Sequence, residues 1–397
     1  MSGMILKQGK IMFKKSLAAV AVLGAFAGAT MASQVTMYGV VDTGLQYKYT
    51  DIADGKVSTD DEVHKFALEQ GLNAGNRFGI KGVEELGNGL KVGFKLENGF
   101  KADDGSFKTE KTLFDREASL SVYSDFGTLT MGRMGAVGSG AGTYDLVYLF
   151  GDAFDGGAFD GGDNGVLGFV TSSRADNMVT YQTPKFAGVQ GTFQYSFNQK
   201  GQEGNKSSLN NQVFAAAATG EFGALNVVGA YEYTNRAAAD RIAVRKDAQT
   251  FYLGGNFDCG FAKTFAMAQY FEGASAAAGF DINDEFETTG VHPEHAKGLK
   301  GYGLHVGTQV PVMAGTLTAG VYYVDAKIKD YYDVGDVKDV DVAYIGGAAR
   351  YVYPLSKRTA VYVGGGVAQS TVDNWNNNGS DYKEFLAQAY TGLTHRF

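Results

Sequence analysis

Apolar and polar side chains alternate along most of the chain. From Leu90 to Glu97, Leu90, Val92, Phe94 and Leu96 fall on one side and Lys91, Gly93, Lys95 and Glu97 on the other. A period of two is that of a strand with one apolar and one polar face. Arg77-Phe78-Gly79-Ile80-Lys81 and Thr318 to Val324 repeat the theme less cleanly. The exception is the apolar run Leu17–Ala29, which follows Lys14 and Lys15 and ends in Thr30-Met31-Ala32. It is shorter than the ~20 residues of a spanning helix, and its flanks are those of a secretory signal. Residues 1–32 are therefore expected to be an N-terminal extension and cleaved signal peptide, with Met12 read as the start, and residues 33–397 a single domain.

Connection lengths decide what the apolar faces meet. Short turns are expected at 86–89, 125–127, 184–188, 221–224, 258–261, 311–315 and 354–357. Long polar loops are expected near 50–65, 101–112, 135–170, 198–210, 236–247, 273–298, 328–340 and 371–383. Seven turns and eight loops join sixteen strands, and the even count brings both termini to one end. A soluble sandwich has no reason to sort its connections by length. A sheet in a bilayer must close on itself, because an open edge leaves backbone N–H and C=O groups unsatisfied in hydrocarbon. The fold class predicted is all-β, a 16-stranded antiparallel transmembrane β-barrel with short periplasmic turns and long external loops. Pro184, Pro311 and Pro354 fall at short turns and Pro293 in a long loop, so none interrupts a ladder.

Composition removes other classes. With 56 Gly but only 4 Pro in 397 residues, the chain is neither collagen nor Pro-rich disorder. The single Cys259 makes no intramolecular disulfide or thiolate zinc cage. Processing after Ala32 removes Lys7, Lys10, Lys14 and Lys15 and no acid, taking the net charge from −8 to −12 and disfavouring a nucleic-acid partner. The 23 Tyr and 27 Phe suit the aromatic girdles of a barrel at the two membrane surfaces. The five His are scattered, and no Gly-x-Ser-x-Gly elbow occurs, so no enzyme is expected. No cofactor is expected, and His292 and His295 are read as exposed loop residues rather than metal ligands.

Several segments carry a resemblance: Val35-Thr36-Met37-Tyr38-Gly39-Val40-Val41-Asp42, Asn76 to Gly82, Glu85 to Lys91, Leu96 to Phe100, Phe126 to Arg133, Arg174 to Pro184, and the ending Gly392-Leu393-Thr394-His395-Arg396-Phe397. In this order the mature chain resembles the trimeric general porins of Gram-negative outer membranes. The resemblance implies a water-filled pore for passive diffusion of ions and small hydrophilic solutes, narrowed by a third loop folded into the lumen opposite a ladder of arginines. Opposed rows of fixed charge in a low-dielectric tube set up a transverse field that sorts ions. By motif position the basic wall falls on Arg77, Arg116 and Arg174, with Arg174 where the chain returns from the loop, Arg133 where it leaves for it, and Lys81 on the same face as Arg77. Arg116 conflicts with alternation, which groups it with Ala118, Leu120 and Val122; either a bulge intervenes or the strand lies against a neighbouring subunit.

The acidic side is expected from Asp145, Asp152, Asp155, Asp160 and Asp163 of the third loop. These carboxylates are read as lining the path rather than holding a metal. Val40 stands where some relatives carry a lumenal Lys. Fewer cations and more carboxylates lead to an expected weak cation preference. The resemblance also implies a homotrimer latched by residues 101–112, contacts with outer-membrane lipid and lipopolysaccharide, and recognition of Phe397 by the outer-membrane assembly machinery. The competing reading is a substrate-selective channel for a sugar or organic acid, for which Phe150, Phe154, Phe159 and Phe169 are the candidate aromatic slide. Packing of those rings on the wall is the expectation preferred here.

Overall fold

The computed structural model describes residues 34–53, 61–154, 168–237, 244, 246–277, 279–281, 297–333, 336–373 and 381–397. Strands β1 (Gln34–Ala53), β2 (Asp61–Gln70), β3 (Arg77–Gly87), β4 (Leu90–Gly99), β5 (Glu117–Ser124) and β6 (Gly127–Gly135) lead to a short helix, α1 (Val147–Gly151). There follow β7 (Arg174–Gln182), β8 (Val189–Ser196), β9 (Gln212–Phe222), β10 (Leu225–Asn235), β11 (Ala248–Asp258) and β12 (Lys263–Ala274). After a two-residue hairpin of β13 (Ala276–Ala277) and β14 (Phe280–Asp281) come β15 (Leu299–Val312), β16 (Gly315–Asp333), β17 (Asp336–Pro354), β18 (Thr359–Asp373) and β19 (Tyr382–Arg396).

Each strand of the main sheet pairs antiparallel with its neighbours. β19 closes the ring on β1, from Val40↔Arg396 to Ala53↔Lys383. β2 and β3 both pair with β1, one along its second half and the other along its first, so together they make a single interrupted stave. The seventeen segments of the sheet are thus a closed barrel of sixteen staves. Phe397 extends the closing ladder by exchanging backbone hydrogen bonds with Gly39, 3.1 Å each way. A Cβ at Gly39 would overlap the Phe397 ring, so glycine seats the last residue of the chain.

All seven short turns lie where the pattern puts them. At the first, Asn88 (φ 52°) and Gly89 (φ 78°) are both left-handed, the conformation of a tight Asn-Gly hairpin. The stretch 328–340, expected as a long loop, is instead ladder: β16 and β17 run through it to Asp333↔Asp336, with a register shift between Ile328 and Tyr331. Polarity of the sequence there does not mark a loop, and Ile328 and Val340 at its two ends are buried. The same holds in part at 50–65, where Ile52 pairs with Asp61.

Alternation sets the two surfaces. In β15, Leu304 is 47% and Val306 60% exposed, while His305 between them is 1% exposed. Leu253, Val321, Ile345, Val363 and Val367 are likewise exposed on the outer surface. Such a belt is unfavourable in water and is what lipid accepts.

A candidate pore constriction

The loop after β6 turns into the barrel because the wall supplies partners for its backbone. Gln194 of β8 accepts the Val137 N–H (2.9 Å) and donates to Gly135 O (3.2 Å), and Glu232 of β10 accepts the Gly138 N–H (2.9 Å). Asn256 donates to Phe150 O (2.8 Å), Gln309 to Ala153 O (2.6 Å), and Gln269 both accepts from Val170 N–H and donates to Val170 O. Each bond satisfies a buried backbone group that would otherwise forfeit hydration. Val147, Tyr148, Phe154 and Phe169 are buried in one apolar cluster with wall residues that include Phe265, Met267, Tyr322 and Tyr344. Glycines give the clearance: a Cβ on Gly307 would lie 2.5 Å from Ala153 Cβ.

Asp152 is anchored rather than displayed. It is 1% exposed, and its Oδ1 accepts from Tyr322 OH (2.9 Å) and Phe154 N–H (2.8 Å). His305 stacks on Tyr322, centroids 4.3 Å apart, with Nε2 3.5 Å from Asp152. Nε2 also accepts the Ala153 N–H (3.2 Å), so the Nδ1 proton points to Val321 O (3.0 Å) and the imidazole is neutral. The expected place of Asp152 among solute-facing carboxylates is therefore corrected: it fastens the loop to β15 and β16. Asp155, Asp160 and Asp163, and with them Phe159, lie outside the described residues.

Facing the loop, β1, β3, β4 and β5 carry a charged patch on their inward face. Tyr38 OH donates to Glu97 (2.8 Å), and Arg116 Nε pairs with Glu97 (2.8 Å). Lys95 pairs with Glu117 (2.8 Å), and Thr143 at the loop's root donates to both Glu117 oxygens. Arg116 reaches this patch through a β-bulge. Its N–H bonds to Glu97 O while Glu117 is the register partner of Glu97, so two consecutive residues oppose one and both point inward. Arg116, Arg77, Lys95, Arg396 and Glu97 line a cleft of about 290 Å³ whose far side is Asp145 and Phe154 of the loop. Lys81 lies two residues along from Gly79, with its ammonium 5.3 Å from the Tyr38 ring centroid. Val40 is buried opposite Arg77.

The other two arginines sit elsewhere. Arg174 starts β7 opposite Gly135, at the mouth of the loop. Arg133 lies at a register shift between Gly132 and Met134, donates to Asp115 O (2.7 Å), pairs with Asp176 and is not among the residues lining the cleft. Sequence reasoning missed Lys95, Glu97 and Glu117 as a network, although Lys95 and Glu97 stand on the polar face of β4. It also missed Arg350, whose guanidinium lies 5.5 Å from the Phe154 ring centroid. The available signal was alternation: Arg350 shares a face with the buried Tyr344 and Ala348, opposite the exposed Ile345.

The Gram-negative porin family matches residues 18–374. An outer membrane porin of Bordetella pertussis is 32% identical over 385 residues, covering 90% of this chain and 94% of that protein. Outer membrane porin protein 32 of Delftia acidovorans is 29% identical over 355 residues, 88% of each. Among solved structures, an anion-selective porin from Comamonas acidovorans superposes with a TM-score of 0.59 at 22% identity, covering 92% of this chain and all of that one. OmpF of Salmonella typhi gives 0.58 at 21% identity, covering 92% and 98%. With a closed sixteen-stave barrel, an apolar belt and an inward loop before a charged wall, the chain belongs to the Gram-negative porin family, an outer-membrane channel for passive diffusion.

Proposed function

We propose that the cleft between the third loop and the β1/β3/β4/β5 wall is the narrowest part of the path, and that its charges set a weak cation preference. The observation that carries the constriction is the cleft itself, with Arg77, Lys95, Arg116 and Arg396 on one side and Asp145 on the other; the cation preference rests on the number of acids in the third loop and the other long loops of the sequence. Glu97 and Glu117 are spent on Arg116 and Lys95. The proposed balance is between the basic side chains of the wall, with Lys81 and Arg396 among them, and the acids that the sequence places in the third loop, Asp155, Asp160 and Asp163, with the acidic external loops adding to the negative side. Reversal potentials in a salt gradient test it. Wild type is expected on the cation side of zero, and Asp155→Asn/Asp160→Asn/Asp163→Asn is expected to move it to the anion side. Clear anion selectivity of wild type contradicts the assignment.

A substrate-selective channel would need rings along the path. Phe154, at the edge of the cleft, and Phe169 are instead almost wholly buried in packing against the wall, which favours general diffusion.

In the same reading the protein is a homotrimer in contact with lipopolysaccharide, processed after Ala32, with Phe397 read by the assembly machinery. Residues 101–112 remain the candidate latch. Phe107 and Leu113 at this loop are exposed, and Lys101 N–H bonds to Ser106 O (2.8 Å) across a turn. Asp104 caps that turn, and the Ser106 hydroxyl and amide hold its carboxyl below the usual range. Deleting residues 103–110 is expected to abolish the heat-resistant trimer band on a gel; a retained band contradicts the latch.

A further inference from the structure

The break between β2 and β3 has more chain than the ladder can hold. On β1, Val41 and Asp42 lie between the pairs Val40↔Arg77 and Thr43↔Gln70, while six residues, Gly71 to Asn76, lie opposite. The surplus must leave the sheet, and outward it would put backbone polar groups into lipid. It goes inward: Leu72, Ala74 and Asn76 are buried, and Asn73 and Ala74 line the cleft that faces Asp145 and Phe154.

Polar contacts centred on Asp42 hold it there. The Asn76 carboxamide stands in for the missing strand partner, accepting the Asp42 N–H and donating to Asp42 O (3.0 Å). Gly71 N–H also bonds to Asp42 O (3.1 Å). The Asp42 carboxylate is fully buried and accepts from Asn73 N–H (3.4 Å), Tyr362 OH (2.7 Å) and the Thr394 hydroxyl. Asn73 Nδ2 donates to the same Thr394 (2.9 Å). One carboxylate thus ties the surplus segment to β18 and β19. Three donors converging on it require a group that only accepts.

We propose that residues 71–76 are a second, fixed jaw of the constriction and that Asp42 is the positioning residue that holds it; this rests on the cleft being the narrow part of the path. The third loop then closes the lumen against a shelf of the wall rather than against a flat sheet. The shelf sets how far Arg77, two residues beyond Gly75, stands into the opening.

Three experiments test it. Deleting Leu72 to Gly75 leaves two residues opposite two and restores a continuous stave. Single-channel conductance is expected to rise on the order of 1.5-fold or more as the opening widens, whereas unchanged conductance in the folded deletion channel overturns the proposal. The second keeps the full chain. In a Cys259→Ser background, Asn73→Cys is treated with a bulky, positively charged methanethiosulfonate while current is recorded. A stepwise fall in current is expected. A conducting channel that does not react, or whose current is unchanged once mass spectrometry shows the adduct, overturns the shelf while leaving the porin reading intact. Asp42→Asn is expected to make the open current noisier with the barrel still folded, and rescue of a quiet current by no substitution other than Glu or wild type fits an acceptor-only requirement.

Discussion

Arg116→Ala is expected to cost on the order of 3 kcal/mol or more of barrel stability. Arg116 is 6% and Glu97 4% exposed, and their 2.8 Å contact is closed off by the bulge that turns Arg116 inward. Removing the guanidinium leaves a buried carboxylate with the Tyr38 hydroxyl and a Lys95 ammonium 3.8 Å away, a poor substitute for a direct charged hydrogen bond. Replacing both partners is milder, because no buried charge is then stranded. The check is a double-mutant cycle by reversible urea unfolding in lipid vesicles, with Arg116→Met, Glu97→Gln and the pair. Arg116→Met alone should fall well below the double variant in stability. If the single substitution costs under about 1 kcal/mol, the pair belongs with exposed ion pairs and the buried reading fails.

Gly307→Val is expected to have the largest effect on conduction. Its Cβ would lie 2.5 Å from Ala153 Cβ and 3.0 Å from the His305 ring, at the point where Asp152, His305 and Tyr322 fasten the third loop. β-Branched bulk suits a strand, so the barrel should tolerate the change. The loop should not, and its release is expected to raise single-channel conductance on the order of twofold and to flatten charge selectivity. Gly347→Ala is the control, because a Cβ there meets its nearest side-chain atom at an ordinary 3.6 Å. Unchanged conductance in folded Gly307→Val channels would show that the docked loop does not limit flow.

Much of this architecture is legible in the sequence because it depends on local rules. Period-two alternation marks the staves, and Asn88-Gly89, Pro184 and Pro354 mark short turns by the backbone conformations they favour. What was not legible depends on long-range pairing. Alternation sends Arg116 outward, and only the opposing Glu97 reveals the bulge that reverses it. Asp152 looks like its acidic neighbours in the chain, yet Tyr322 lies 170 residues away and decides its burial. The shelf at 71–76 is visible as two glycines, but its surplus over β1 is a fact of register. Arg133 is a further case: its position beside the third loop suggested the lumen, and the register shift between Gly132 and Met134 that sets its surroundings is again a fact of pairing.

The central claim is an open, aqueous path through the closed barrel, and single-channel recording of the mature protein in a planar bilayer tests it most directly. Large, ohmic openings are expected, closing in thirds at high voltage if three barrels insert together. Electrical silence from protein shown to be folded and inserted would contradict it.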